Sequence, residues 1–426
     1  MIRLIYNLLW PVGILVFLPR YLVKMFRRGG YREKFGQRLG IYDRDVRNRL
    51  AGRKPTWLHA VSVGEVQVAL KLAKQLRAIQ PEKDCVLTTT TTTGFAFANK
   101  SAPPWMEVMY NPLDFWPIVH RSFSVIGPRR IVLIEAEVWP NLVAEASRRK
   151  VPIALANARL SPRSEKRFRR FRAFVRSTFR LLDLVCVQEP ADLERWAALG
   201  IDRNRIWVTG SIKFDSEKGS VDSAAPREVL MALGLENRTI ILGGSTHPGE
   251  EKVLAEVYRA LRRQFVDLLL VIAPRHVERT NEIERQLKDA GFRVALRSRP
   301  EASDQLPDCL IVDSTGELRN WYAVATVVFI GKSLCAHGGQ NPVEAIEAGQ
   351  PVLFGPNMEN FVALTNALLA RNAAVEVKSS TELLREMANL LANPERRQQL
   401  VENAGTILEV HRGATSRTAR LIFDLG

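Results

Sequence analysis

The chain has 426 residues, more than one hydrophobic core usually fills, so two domains of ordinary size are expected. Its hydrophobic share of 46% and charged share of 25% exclude a disordered chain, and four scattered cysteines (Cys85, Cys186, Cys309, Cys335) exclude a disulfide framework and a cysteine zinc site. Sixty-one Lys and Arg against 45 Asp and Glu leave +16, which calls for an anionic neighbour: nucleic acid, an acidic membrane or a phosphorylated substrate.

At the amino terminus, Leu4 to Leu18 is apolar apart from Asn7 and is followed by Arg20, Lys24, Arg27, Arg28, Arg32 and Lys34. A signal peptide places its charge first and ends in small residues at a cleavage site, so this order reads as a retained membrane anchor with a basic collar, residues 1–50. The run falls short of the ~20 residues of an easy span and contains Pro11; a shallow interfacial helix, a true crossing and a buried core helix stay open. Half of the net positive charge lies in these fifty residues, which fits anionic headgroups and a body on the cytoplasmic side better than nucleic acid. Asp43-Arg44-Asp45 has the DxD form of a metal site but sits in a polar connector, and it carries little weight.

Residues 51–215 alternate strand-like runs (Trp57 to Val61, Cys85 to Thr90, Glu107 to Tyr110, Ile131 to Ile134, Ile153 to Ala156, Leu184 to Val187, Ile206 to Val208) with amphipathic stretches. That alternation predicts a parallel, doubly wound α/β sheet with ligands at the carboxyl ends of its strands. The first strand stops at Gly64 and is followed at once by Glu65, on the first turn of a helix, where a carboxylate either complements the helix dipole or serves as a base. Six threonines, Thr88 to Thr93, end the second strand; they are β-formers or hydrogen-bonding groups for a sugar. Glu135-Ala136-Glu137 ends the fourth strand ahead of a helix that starts at Pro140, and two carboxylates there must cap, pair or bind. Asn157-Ala158-Arg159 follows the fifth strand. A basic segment with interleaved phenylalanines, Pro162 to Arg180, is either a solvated helix with a packed aromatic stripe or a surface for lipid phosphates.

Residues 216–226 have linker composition, and a second α/β domain, 227–426, repeats the pattern: Thr239 to Leu242, Leu268 to Ile272, Arg293 to Leu296, Cys309 to Asp313, Thr326 to Ile330, Pro351 to Phe354 and Ala374 to Val377. A cleft between two such domains is a favoured ligand site. Its strand ends carry phosphate-binding chemistry: Gly243 to Glu251 with Ser245 and His247, Pro274-Arg275, Thr315-Gly316-Glu317, Gly331-Lys332-Ser333, and Gly338-Gly339-Gln340-Asn341-Pro342-Val343-Glu344. Neither GxGxxG nor the Walker pattern is present, so a nucleotide is expected by a less common scheme.

Taken together, the amino-terminal run, His59 to Glu65, the threonine run closed by Gly94, Glu135 to Asn141, Asn157 to Ser161, Gly210 to Asp215, Pro274-Arg275, Thr315 to Glu317 and Gly338 to Glu344 resemble the bacterial 3-deoxy-D-manno-octulosonic acid (Kdo) transferases of lipopolysaccharide assembly. The resemblance covers nearly the whole chain. It implies the two-domain GT-B glycosyltransferase fold, with two Rossmann-like domains, an interdomain cleft and an amino-terminal anchor helix. It also implies inverting transfer of Kdo from CMP-Kdo to lipid IVA at the cytoplasmic face of the bacterial inner membrane. Glu65 then matches the general base, and Glu135 and Lys213 match positions that stabilise the transition state. Pro274, Arg275, Thr315, Gly316, Glu317, Asn341, Pro342, Val343 and Glu344 match the donor-binding positions. Further candidates are Gly64, Thr93, Asn157, Arg159, Ser245, His247, Gly339 and Gln340. No metal or other cofactor is implied, since CMP is already a phosphate leaving group that Arg275, Lys213 and helix N-termini can neutralise. Three departures stand beside these residues: Ala136 where the family often has threonine, Lys332 where glycine is common, and Asn357 where histidine is frequent. The rival readings are a membrane-associated transferase using a UDP-sugar and a non-catalytic lipid- or RNA-binding protein on the same fold.

Overall fold

Apolar, strand-forming runs alternate with amphipathic helices along the chain, and among the described residues they assemble into two parallel sheets of seven strands each. The computed structural model describes residues 3–10, 34–160, 162–215, 222–300 and 305–425. It divides into two units, Met1–Asp215 with His411–Gly426, and Ser216–Val410.

In the first unit β1 (Thr56–Ala60), β2 (Cys85–Thr89), β3 (Met106–Tyr110), β4 (Arg130–Ile134), β5 (Ile153–Ala158), β6 (Leu184–Val187) and β7 (Ile206–Val208) lie in the order β3-β2-β1-β4-β5-β6-β7. Every residue of β1, β2 and β4 is buried. Period two divides them: Trp57, Val86, Ile131 and Leu133 pack on one face, and Leu58, Ala60, Leu87, Val132 and Ile134 on the other. A parallel sheet covered on both faces needs such uninterrupted runs. Because β1 pairs with both β2 and β4, the winding reverses between β1 and β4, and the carboxyl ends of those two strands flank the crevice where open α/β sheets take ligands.

The second unit repeats this plan. Here β8 (Thr239–Thr246), β9 (Leu268–Pro274), β10 (Val294–Leu296), β11 (Cys309–Ile311), β12 (Val327–Ile330), β13 (Val352–Phe354) and β14 (Val375–Glu376) lie in the order β10-β11-β9-β8-β12-β13-β14. The reversal falls between β8 and β12.

Three expectations change. The anchor over Leu4 to Leu18 is described only as a helix at 3–10; the rest of it and the collar from Arg20 to Arg32 lie outside the described residues, as does linker 216–221. No helix among the described residues is long and apolar enough to cross a membrane. The basic segment forms two helices, Pro162–Arg170 and Arg172–Phe179, that break at Phe171. The second of them buries Val175 and Phe179, and Phe168 of the first stacks edge-on against Phe179 with ring centroids 5.4 Å apart.

The last correction concerns the end of the chain. Residues 411–426, read as part of the second domain, belong to the first unit. The helix Ala414–Phe423 buries Ala419 and Ile422 in the same core as Val66, Val68, Ala69 and Leu72 of the helix Val63–Ile79. Its start is capped from 200 residues away: the Asp215 carboxylate accepts from Gly413 N at 2.8 Å and Thr415 N at 2.7 Å. Ser211 N donates to His411 Nδ1 at 3.1 Å, Arg417 donates to Thr209 O at 2.7 Å, and the buried Arg130 guanidinium donates to Ile422 O. An apolar stripe shows that a helix needs a partner but does not name it, so composition alone left this helix with its sequence neighbours.

Ile422→Ala removes a fully buried side chain from the core of the first unit and is expected to cost about 2–4 kcal/mol. Chemical denaturation followed by tryptophan fluorescence checks this. An unchanged first-unit transition would mean that the helix is not part of that core.

Candidate active site

Glu65 enters the site through its helix start. Ser62 caps the helix Val63–Ile79 by accepting from Glu65 N at 3.3 Å, and the Glu65 carboxylate turns back to accept from Val61 N at 2.9 Å and the Ser62 hydroxyl at 2.8 Å. This reciprocal capping box fixes the carboxylate just beyond β1. One oxygen, Oε2, is held by the backbone, whereas Oε1 is held by an exposed serine hydroxyl that another hydroxyl can replace. A Cβ added at Gly64 would meet nothing within 4 Å, so the space beside Glu65 is open.

Across the reversal point, β4 ends at Ile134 and the chain turns at Glu135 with φ +61, a left-handed conformation that costs a non-glycine residue about 1 kcal/mol. Burial pushes the Glu135 carboxyl above its ordinary range and the charge of Glu65 adds to this, while Arg159 and Lys213 pull it back. Glu137 is pushed up to about 7, by burial first, then by Glu65 and Glu135. Burial pushes the Lys213 ammonium down, against the attraction of Glu135. Three carboxylates, one lysine and Arg159 therefore share one field at the ends of β1, β4 and β5.

Asn157 and the threonines hold this edge together. Asn157 is fully buried with φ +54, and its Oδ1 accepts from Ile212 N at 2.9 Å, which fastens the turn that carries Lys213. It is a positioning residue and not a sugar contact. Thr88 bonds Trp57 Nε1 at 2.9 Å, and Thr91 donates to Val61 O at 2.8 Å while capping the helix Thr92–Ser101. Those hydroxyls are spent on the scaffold; Thr93 makes only a long contact of 3.5 Å to Thr91. Gly94 closes the run because a Cβ there would lie 2.7 Å from Thr89 Oγ1 and 2.8 Å from Thr91 Oγ1.

In the second unit the candidates gather at the ends of β8, β9, β11 and β12. Pro274 ends β9, and Arg275 follows with an exposed side chain while its N–H donates to Thr246 O at 3.1 Å. Ser245 lies within β8 with φ +54. Gln340 Nε2 donates to His247 Nε2 at 3.3 Å, and the His247 ring meets His276 edge-on, 5.8 Å between centroids. Gly338 and Gly339 have φ +111 and +66, and a Cβ on Gly339 would lie 2.4 Å from Met358 Sδ. Asn341 Oδ1 accepts from Val343 N at 3.2 Å, Pro342 and Val343 are buried, and burial pushes the Glu344 carboxyl up. Thr315 and Gly316 are exposed beyond β11.

Two of the expected anion contacts are occupied by the protein itself. The N–H groups of Lys332, Ser333 and Leu334 converge at 2.8, 3.0 and 3.1 Å on the buried Glu250 carboxylate, which also accepts from His247 N at 2.9 Å. The Gly331-Lys332-Ser333 turn is a nest, and Glu250 fills it in place of a phosphate. The Glu317 carboxylate is paired with Arg297 at 2.7 Å, so this residue offers a ligand its backbone before its side chain.

Sequence reasoning left two groups out. Glu137 had a signal, the second carboxylate at one strand end. Asp114 had none: it caps the helix Pro140–Arg148 across 27 residues of chain, accepting from Asn141 N at 3.0 Å and Leu142 N at 2.8 Å, and also takes the Tyr6 hydroxyl at 3.1 Å. Burial pushes its carboxyl up to about 6. Beside it opens a cavity of about 900 Å³ lined by Leu4, Leu8, Phe115, Trp116, Pro140 and Phe174, an apolar hollow in the same unit as Glu65.

A family model described as 3-deoxy-D-manno-octulosonic-acid transferase matches residues 33–216. The 3-deoxy-D-manno-octulosonic acid transferase of Haemophilus influenzae is 32% identical over 410 residues, 96% of this chain and 94% of that protein. That of Bordetella pertussis is 34% identical over 380 residues, 87% of each chain. A glycosyltransferase structure from Rickettsia africae superposes with a TM-score of 0.52 at 12% identity over 87% of this chain and 98% of that one, which shows the GT-B fold in common.

The raised Glu137 carboxyl sets a pH dependence. A carboxyl titrating near 7 when folded and near 4.5 when unfolded favours the folded state below about pH 4.5, and that contribution is lost as pH rises to 7. Glu137→Gln is expected to flatten the fall in stability between pH 4.5 and 7 by about 2 kcal/mol, read from denaturation midpoints across that range. Parallel curves for variant and parent would remove Glu137 from the buried cluster.

Proposed function

The chain belongs to the 3-deoxy-D-manno-octulosonic acid (Kdo) transferases, and on that premise we propose that it moves Kdo from CMP-Kdo onto a primary hydroxyl of lipid IVA, inverting the anomeric carbon. What carries this reading is the Glu65 carboxylate, anchored through Oε2 and exchangeable at Oε1, at the reversal point of the first sheet. An acceptor hydroxyl takes the place of the Ser62 hydroxyl, and Glu65 removes its proton as the oxygen attacks. The new bond forms at the anomeric carbon while the bond to the phosphate oxygen breaks, and the electron pair leaves on CMP. Glu135 and Lys213 stabilise the charge that develops during that exchange.

The nucleotide is assigned to the ends of β8, β9, β11 and β12. Arg275, whose side chain is exposed, meets the phosphate, and the turns at Thr315 to Glu317 and Asn341 to Glu344 hold the rest of the donor. A phosphate leaving group met by cationic side chains and backbone N–H groups needs no metal in this scheme. The acceptor is a phosphorylated, acylated lipid. The apolar cavity beside Phe115 and Trp116 suits its chains, and the arginines of Pro162–Arg170 and Arg172–Phe179 suit its phosphates. Together with the basic, apolar amino-terminal run, these features support a position at the cytoplasmic face of the bacterial inner membrane.

Glu65→Gln separates the base from the cap, because glutamine serves the capping box as glutamate does. With lipid IVA and freshly made CMP-Kdo, product mass spectrometry should show a mass gain for the parent and a rate about 10²–10⁴-fold lower for the variant, at an unchanged melting temperature. A variant as fast as its parent would sink the base assignment. A parent that is inactive with CMP-Kdo but active with a UDP-sugar would sink the donor assignment.

A further inference from the structure

Lys332 stands in an unusual place for a side chain. Its backbone has φ +58, its N–H is one of those held by Glu250, and its carbonyl accepts from Gly339 N at 3.0 Å. The residue thus closes the turn formed by Gly338 and Gly339, in a conformation that glycine would adopt at lower cost. Its side chain does not leave for solvent. A Cβ placed on Gly338 would lie 3.4 Å from Lys332 Nζ and 3.5 Å from Cε, so the ammonium arches over the bare backbone of that turn. The same charge reaches His247: burial lowers the affinity of that imidazole for a proton, and Lys332 and His276 lower it further. No carboxylate among the described residues forms a salt bridge with Lys332: Glu250 is taken up by backbone N–H groups, and Glu359, at the turn itself, accepts from Gly338 N at 2.7 Å and pairs with His337 at 2.9 Å.

A lysine fixed at its backbone, aimed along a glycine turn and without a salt-bridge partner among the described residues, is arranged to receive an anion. We propose that Lys332 binds an anionic oxygen of the sugar-nucleotide donor, either the nucleotide phosphate or the carboxylate of the sugar acid, beside the imidazole of His247. This rests on the donor reading above and adds to it a residue that sets donor affinity in this chain. Asn360 Nδ2 also borders the Gly338 turn, 2.9 Å from where a Cβ on Gly338 would lie.

Calorimetric titration of the full chain tests this with CMP and cytidine as probes, on the parent and on Lys332→Gly, Lys332→Met and Lys332→Arg. Glycine suits the φ of +58 and methionine keeps the length of the side chain, so the two neutral variants lose charge by different structural routes. Both are expected to bind CMP about tenfold more weakly and cytidine as the parent does, while Lys332→Arg stays within about threefold. If CMP binding is unchanged but the KM for CMP-Kdo rises about tenfold at constant kcat in both neutral variants, the anion is the sugar carboxylate and the proposal stands. Equal CMP binding and equal KM in parent and neutral variants overturn it while leaving the donor reading intact. A parent that binds neither CMP nor the donor overturns the donor reading and this proposal together.

Discussion

A backbone N–H shut away from water must find an acceptor, and in both units that demand is met at the critical points by carboxylates brought from elsewhere in the chain. Asp114 serves the start of the helix Pro140–Arg148, Asp215 the start of the helix Ala414–Phe423, and Glu250 the turn after β12. Each burial of charge is tolerable because two or more N–H groups share it. Each also ties a loop to a rigid element, so the groups at the strand ends stand on fixed supports. Glu65 belongs to this set, but only one of its oxygens is held by the backbone. That difference separates a structural carboxylate from one that can exchange partners.

The first unit concentrates negative charge at its reversal point, and this is sustainable only because the charges are not all expressed. Glu137 carries a proton through the acid range, and Lys213 and Arg159 offset Glu135. A cluster tuned in this way holds fewer charges than it has carboxyl groups, and its charge pattern changes when a proton arrives. The matching place in the second unit carries Arg275 and Lys332 beside two imidazoles at the ends of β8, β9 and β12, with Glu250 held by backbone N–H groups. Two copies of one architecture thus differ in the charged groups at their strand ends.

The strands could be read from the sequence because a parallel sheet buried on both faces leaves continuous apolar runs, and each expected run has its counterpart in the fold. The largest shift in length is in β8, which continues through Gly243 and Gly244 to Thr246. Paired glycines suggest a turn, yet here they answer a packing demand: a Cβ on Gly243 would lie 2.4 Å from Leu254 Cδ1, and one on Gly244 2.3 Å from the Tyr322 hydroxyl. For the site, a strand-end position pointed to Glu65 and Glu135. The partners of Glu250, Asp215 and Asn157 were hidden because each bond spans a stretch of chain that local pattern does not register. The same holds for the hydroxyls of Thr88 and Thr91, whose scaffold role depends on the neighbouring strand.

The stitching of residues 209–215 to residues 411–417 has a consequence for how the protein is made. A ribosome delivers the seven strands of the first sheet early, but the partners of the turn bearing Lys213, His411 and Arg417, emerge only after the whole second unit. Until then the apolar face of the helix Val63–Ile79 lacks its cover and the Arg130 guanidinium lacks its carbonyl partner. The first unit therefore completes its fold only after the second unit has been synthesised, and a chain cut short within the second unit leaves the turn bearing Lys213 without these partners.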